Sequence, residues 1–183
     1  MCGTHGRLPK NDPVQIHSPI QRVYSILPPM PPEIPFLLDL LDEAFDKKSW
    51  HGPNLLGSIR GVTALQAAWR VALGRHNIWE YALHAAYWKY VVRRRITSAK
   101  RGTFVVKGSN FFERPQDPGE AAWKKDIEIL KAQHQDLRRA VLELPGPPQD
   151  SKKWRATLHL IRGAAAHDLY HAGQIRLLRR LGL

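Results

Sequence analysis

The sequence predicts an all-α protein: a four-helix bundle preceded by a proline-rich arm, with one long loop between its second and third helices. Three observations carry that expectation. Apolar residues recur at helical spacing in four segments of roughly 15 to 30 residues. Alternation of the strand type is almost absent, and clusters of proline and glycine separate the helical segments cleanly.

Size and composition agree with one such domain. A chain of 183 residues is long enough to bury a substantial core. An apolar content of 43% with six tryptophans argues against disorder, and no apolar run approaches the roughly 18 residues of a membrane span. No charged stretch followed by an apolar one opens the chain, so no secretory signal is expected. Cys2 is the single cysteine and has no internal disulfide partner, which points to a reducing, cytoplasmic setting.

Residues 1–32 hold Pro9, Pro13, Pro19, Pro28, Pro29, Pro31 and Pro32. That density rules out regular helix and disfavours a central strand, so the segment reads as an extended arm. Cys2 and His5 within it match no metal cage. The bundle then occupies residues 33–183. Its first helix is expected over Glu33 to Lys47, with Leu37, Leu38, Leu40, Leu41 and Phe45 as its apolar stripe. Gly52, Pro53, Gly57 and Gly61 break the pattern and place Trp50 and His51 at a helix end or in a loop. Thr63 is positioned to cap a short turn running through Gln66 to Trp69. Asn77, with Glu80 three residues on, forms a variant of the capping box and sets the start of the second helix.

Beyond Ile96 more than 20 residues pass without helical period, and a connection of that length inside a compact domain is more often functional or a crossover than idle. Phe104, Val105 and Val106 could make a short strand there. From Glu120 the period returns, with Trp123, Ile127, Leu130, Leu137 and Val141 facing the core and His134 expected in solvent. Pro145, Gly146, Pro147 and Pro148 end this third helix. The last segment starts at Asp150 or Ser151 and reads as one helix of nearly 30 residues, with Gly163 and Gly173 inside it. An interior glycine costs up to about 1 kcal/mol, so close helix approach or access for a ligand would account for each.

The net charge of +12 raises the question of nucleic acid. Its clusters sit at Arg93, Arg94, Arg95, Lys100 and Arg101, and at Arg176, Arg179 and Arg180, near helix C-termini where cations complement the macrodipole. No interleaved aromatic pattern or nucleic-acid motif accompanies them, so the balance lies against a nucleic-acid partner.

Chemistry is sought among the nine histidines. His167 and His171 are four apart on the last helix, on one face and about 6 Å apart along the axis, which is metal-ligand spacing. Tyr170 and Gln174 fall on the same side. Two hydrogen-bonded helix histidines would show the same spacing, so a third ligand on another helix is needed. On the second helix His84 lies among Leu83, Ala85, Ala86, Tyr87 and Trp88, where a buried imidazole must find either a polar partner or a metal. His76, before the cap, competes for that role but is expected to be more exposed.

The stretches IWEYALHAAYWKY and AAAHDLYHAGQI resemble the two signature helices of the DinB/YfiT-like family, and the likeness extends over roughly residues 33 to 183. The resemblance implies a four-helix bundle in which one histidine of helix two and an H-x-x-x-H pair of helix four bind a divalent metal with open positions. His84 takes the first place, His167 and His171 the pair, and Gln174 falls in the family's H-x-G-Q-I pattern. Three neutral imidazoles with an open position suit zinc, and with added waters nickel, iron or manganese.

Family members are similar to thiol S-transferases that use low-molecular-weight thiols such as bacillithiol or mycothiol, and others to metal-dependent hydrolases. The expected activity is therefore thiol transfer to an electrophile, with the thiol as cosubstrate and the metal activating it. Hydrolysis on the same fold, or a non-catalytic stress-response or nucleic-acid-binding role, are the alternatives. Tyr170, Gln174 and His51 are the candidates for orienting the site or the substrate. Each also has a plain structural use, in packing, capping or stabilising a turn. An exposed arm suits a homodimer.

Overall fold

The computed structural model describes residues 30–146 and 152–182. Cys2, His5, the proline-rich arm through Pro29, and the helix start expected at Asp150 or Ser151 lie outside the described residues. Residues from Pro31 onward form one compact unit. Its elements are α1 (Glu33–Phe45), α2 (Leu55–Ile59), α3 (Ala64–Ala68), α4 (Ile78–Ile96), α5 (Glu120–Leu142) and α6 (Lys152–Gly182). The long helices α1, α4, α5 and α6 are the four of the bundle.

The two halves of the core give the directions of these helices. One cluster gathers Phe45, Trp79, Leu83, Trp123, Leu130, Ile175 and Leu178, and the other gathers Ile34, Leu41, Val92, Ile96, Leu137, Val141, Ile161 and Ala165. Thus α4 and α5 run from the first cluster to the second, while α1 and α6 run the opposite way. Parallel neighbours cannot be joined by a tight turn, so residues 97–119 must travel back along the bundle, and the crossover expected from loop length is present.

That return segment is held by side chains rather than by a ladder. Phe104 and Phe112 are buried against Tyr87. The short strand expected at Phe104, Val105 and Val106 does not form: Val105 is exposed, no strand among the described residues lies beside it, and the aromatic anchors supply what pairing would have done.

Local signals set the helix starts. The Asn77 side chain accepts from the Glu80 N–H while Glu80 reaches back to the Asn77 N–H, the reciprocal pair expected at the start of α4. Thr63 and Gln66 make the same box for α3. The helix α2 lies where glycines were expected to break the pattern. Asn54 caps it through the Gly57 N–H at 2.8 Å, and a Cβ on Gly57 would meet the Asn54 side chain at the same distance, so here glycine permits the cap.

His134 departs from expectation. It is buried, its ring stacks on Phe45 at 3.9 Å, and its Nε2 lies 3.5 Å from Asp42. Asp42 is the hub of this corner, accepting from Arg138 across α1 and α5 and pairing with Lys47. Burial pushes its carboxyl up, but the hydrogen bonds from Lys47 and Arg138 outweigh this and hold it below the usual range. Charged neighbours on one face of α5 hid a histidine that tertiary packing turns inward.

Candidate metal centre

Two antiparallel helices carry the site. His84 projects from α4, and His167 and His171 project from α6, one helical turn apart. The His167 Nε2 lies 3.1 Å from the His84 Nε2 and 3.0 Å from the His171 Nε2. All three rings therefore aim one nitrogen at a common point, and the three residues form a group able to hold a metal ion.

The other ring nitrogens show why this arrangement suits a cation. His84 Nδ1–H donates to the Asn110 carbonyl at 3.0 Å, and His171 Nδ1–H donates to Gln174 Oε1 at 2.6 Å. With their protons on Nδ1, both rings present bare Nε2 lone pairs. A neutral His167 can donate to only one of them at a time. At least one lone pair then faces another nitrogen without a proton between them, which a divalent ion at the meeting point would relieve.

Protonation states agree. Burial pushes the His84 pKa down to about 4, with the Asn110 hydrogen bond opposing and the charges of His171 and His76 adding. Burial, then the charges of His171, His84 and Lys89, lowers His167 to about 3, and burial lowers His171 against the Gln174 bond. Neutral imidazole is the form that binds metal.

The crossover segment supplies the supports. Asn110 adopts a left-handed φ of 64°, a conformation asparagine tolerates better than most residues. In that pose its carbonyl meets His84 and its side-chain oxygen accepts from the Trp88 indole at 3.1 Å. Phe111 stacks on the His84 ring at 4.0 Å and on His76 at 3.6 Å. His76 itself turns to Glu80 at 2.9 Å and takes no part in the cluster. Glu80 also receives a two-pronged contact from Arg70, at 2.9 and 2.5 Å, and the Arg114 N–H, which fastens the crossover to the start of α4.

Behind the ligands lies a buried ion pair, Lys89 on α4 with Asp168 on α6, both 1% exposed. Burial pushes the Asp168 carboxyl up to about 6 against the pull of Lys89. Lys89 follows His84 by five residues and Asp168 follows His167 directly, so the pair bridges the two ligand-bearing helices next to the ligands.

Of the remaining candidates, Gln174 contacts the centre directly. Tyr170 is 64% exposed with its ring 5.2 Å from His171. His51 is exposed in the turn after α1, and no hydrogen bond or ring contact joins it to the three histidines. Asn110, Phe111, Lys89 and Asp168 were missed in the sequence. Lys89 and Asp168 had left a signal: each interrupts an apolar stripe, Ala82, Ala85, Val92 and Ile96 on one helix and Ile161, Ala164, Ala172 and Ile175 on the other. Opposite charges at core positions of two helices imply a pair. Asn110 and Phe111 left none, because a loop has no period from which to read direction.

An all-helical bundle with a parallel middle pair and three histidines converging between two helices defines a helical metal-binding class. A family profile described as the DinB superfamily matches residues 49–175. The chain belongs to that superfamily. No curated protein and no solved structure matches it at a significant level.

Proposed function

We propose that this protein is a metal-dependent thiol S-transferase of the DinB superfamily, with His84, His167 and His171 as the ligands of a divalent ion. The observation that carries the reading is the convergence of three Nε2 atoms, two of them deprotonated by the bonds their Nδ1 atoms make. A zinc or nickel ion, or iron or manganese with added waters, fits this donor set and would lower the pKa of a bound thiol enough to favour the thiolate near neutral pH.

The protein's own residues prepare that step. Asn110 and Gln174 hold two rings in the ligating tautomer. Phe111 covers the His84 ring and limits water on that side. Tyr170, exposed beside His171, is placed to hydrogen-bond a substrate that approaches from solvent, and Tyr81, 5.1 Å from His171, has its hydroxyl pKa raised by burial and so remains a donor. His51 takes no part in this reading. Positive charge over the molecule favours an acidic low-molecular-weight thiol, such as bacillithiol or mycothiol, over a neutral one.

The test begins with elemental analysis of protein purified without a polyhistidine tag. About one equivalent of divalent metal is expected in the wild type and little in His84→Ala or His167→Ala. Equal metal in the wild type and His84→Ala would refute the site. The metal-loaded protein is then assayed for loss of a thiol in the presence of monobromobimane. Turnover that requires thiol and disappears with chelator supports transfer, whereas ester cleavage without thiol would favour the hydrolase.

A further inference from the structure

The crossover and α4 enclose a second cavity, of about 460 Å³, which is the size of a small-molecule site. Tyr87, Tyr90 and Arg94 belong to its helical wall, and residues 101–109 make the other. Gly108 bends that second wall at a φ of 123°, and a Cβ there would press on the Phe112 ring at 3.3 Å. The bend requires glycine.

The lining holds three cations, Arg94, Arg101 and Lys107, and no acid. None of the three has a carboxylate partner among the described residues. The imbalance is written in the sequence: no acidic residue occurs between Glu80 and Glu113, a stretch with seven lysines and arginines, of which Lys89 alone is ion-paired. The helix dipole accounts for Arg93, Arg94 and Arg95 in the last turn of α4, but Arg101 and Lys107 lie beyond the helix. The carbonyls of Arg93, Arg94 and Arg95 already accept from the N–H groups of Thr97, Ala99 and Ser98, respectively, so they are not left bare to repel an anion.

Hydrogen-bond accounting points the same way. Residues 101–109 make no hydrogen bond to any other described residue, through backbone or side chain. Phe104 anchors the segment by burial, while Arg101, Thr103, Lys107 and Ser109 are exposed. Their N–H groups and the two hydroxyls are therefore left to water or to a ligand.

We propose that this cavity binds a diphosphate group, either as the free ion or carried by a small organic molecule. Adjacent phosphates bring several negative charges and many acceptor oxygens, which two guanidinium groups, an ammonium and the neighbouring N–H and hydroxyl donors complement. A single carboxylate would leave most of that positive charge unopposed. No metal ligand lines the cavity, so the site stands or falls independently of the transferase reading.

The experiment is titration calorimetry on full-length protein, without magnesium, using pyrophosphate, orthophosphate and ADP. Pyrophosphate is expected to bind saturably at one site, about tenfold or more tightly than orthophosphate, as one further hydrogen bond between charged groups would give. ADP binding as tightly supports an organic carrier, and pyrophosphate binding without ADP binding supports the free ion. Arg101→Gln and Lys107→Gln should each weaken pyrophosphate about tenfold and keep the wild-type circular dichroism, since both side chains are exposed and bond no neighbour. Lys48→Gln removes the same charge outside the lining and should change nothing. No saturable binding of pyrophosphate at millimolar concentration, or an equal loss in Lys48→Gln, would overturn the proposal. Binding that disappears when metal is removed by dialysis against a chelator would place the anion at the histidines and overturn it as well. So would tighter binding of decathymidylate than of any small probe, which would make the surface one for nucleic acid.

Discussion

Gln174 shows how much one side chain can decide. Its Oε1 takes the His171 Nδ1 proton, so the Nε2 faces inward as a lone pair, and without that bond the ring could adopt the other tautomer or swing. Gln174→Leu keeps the helix and roughly the volume but removes the acceptor. Its metal affinity, measured by competition with a chromophoric chelator, is expected to fall about 10- to 100-fold with little change in helix content. Three ligands and Gln174 could be picked out from spacing and family pattern, because helix geometry converts spacing into direction. Asn110 and Phe111 could not, because their alignment with His84 depends on where an irregular segment of 23 residues, 97–119, comes to rest.

At the scale of the element, α4 and α6 form the working unit, joined by the buried pair of Lys89 and Asp168. Such a pair gains its mutual attraction at the cost of dehydrating both charges, so its net contribution to stability is small, but loss of one partner leaves the other charge stranded. Asp168→Ala is expected to lower unfolding stability in urea by about 3–5 kcal/mol, and Lys89→Met with Asp168→Leu to recover most of that loss. If the double variant is as unstable as the single one, the pair is not the coupling between these helices. Arg179 has a comparable structural task, donating to the Ser58 and Arg60 carbonyls at 3.0 and 3.2 Å and tying the end of α6 to α2. Part of the high positive charge is thus used within the fold.

For the whole molecule, His134 links stability to pH. Burial, with the Lys89 charge adding and Asp42 opposing, lowers its pKa from 6.5 to about 3. The unfolded chain therefore binds a proton below about pH 6.5 that the native protein refuses until about pH 3, so stability falls as pH falls through that window. The slope for one such proton is at most about 1.4 kcal/mol per pH unit. Since His134→Gln cannot titrate, urea unfolding at pH 6.5, 5.5 and 4.5 should show a shallower decline in the variant. The three metal-site histidines contribute equally to both proteins and cancel in the difference; parallel declines would mean that His134 is charged or exposed in the native state. By itself the sequence determined the four long helices, the capped starts at Thr63 and Asn77, the crossover and the histidines able to meet, since periodicity and capping are local properties of the chain; the short helix α2 it did not show. Whereas the charges of Lys89 and Asp168 inside apolar stripes had already pointed to their pairing, only tertiary structure decided that His134 turns inward and that residues 110 and 111 hold a ligand. Those outcomes depend on groups far apart along the chain, and no local pattern records which of them share the same space.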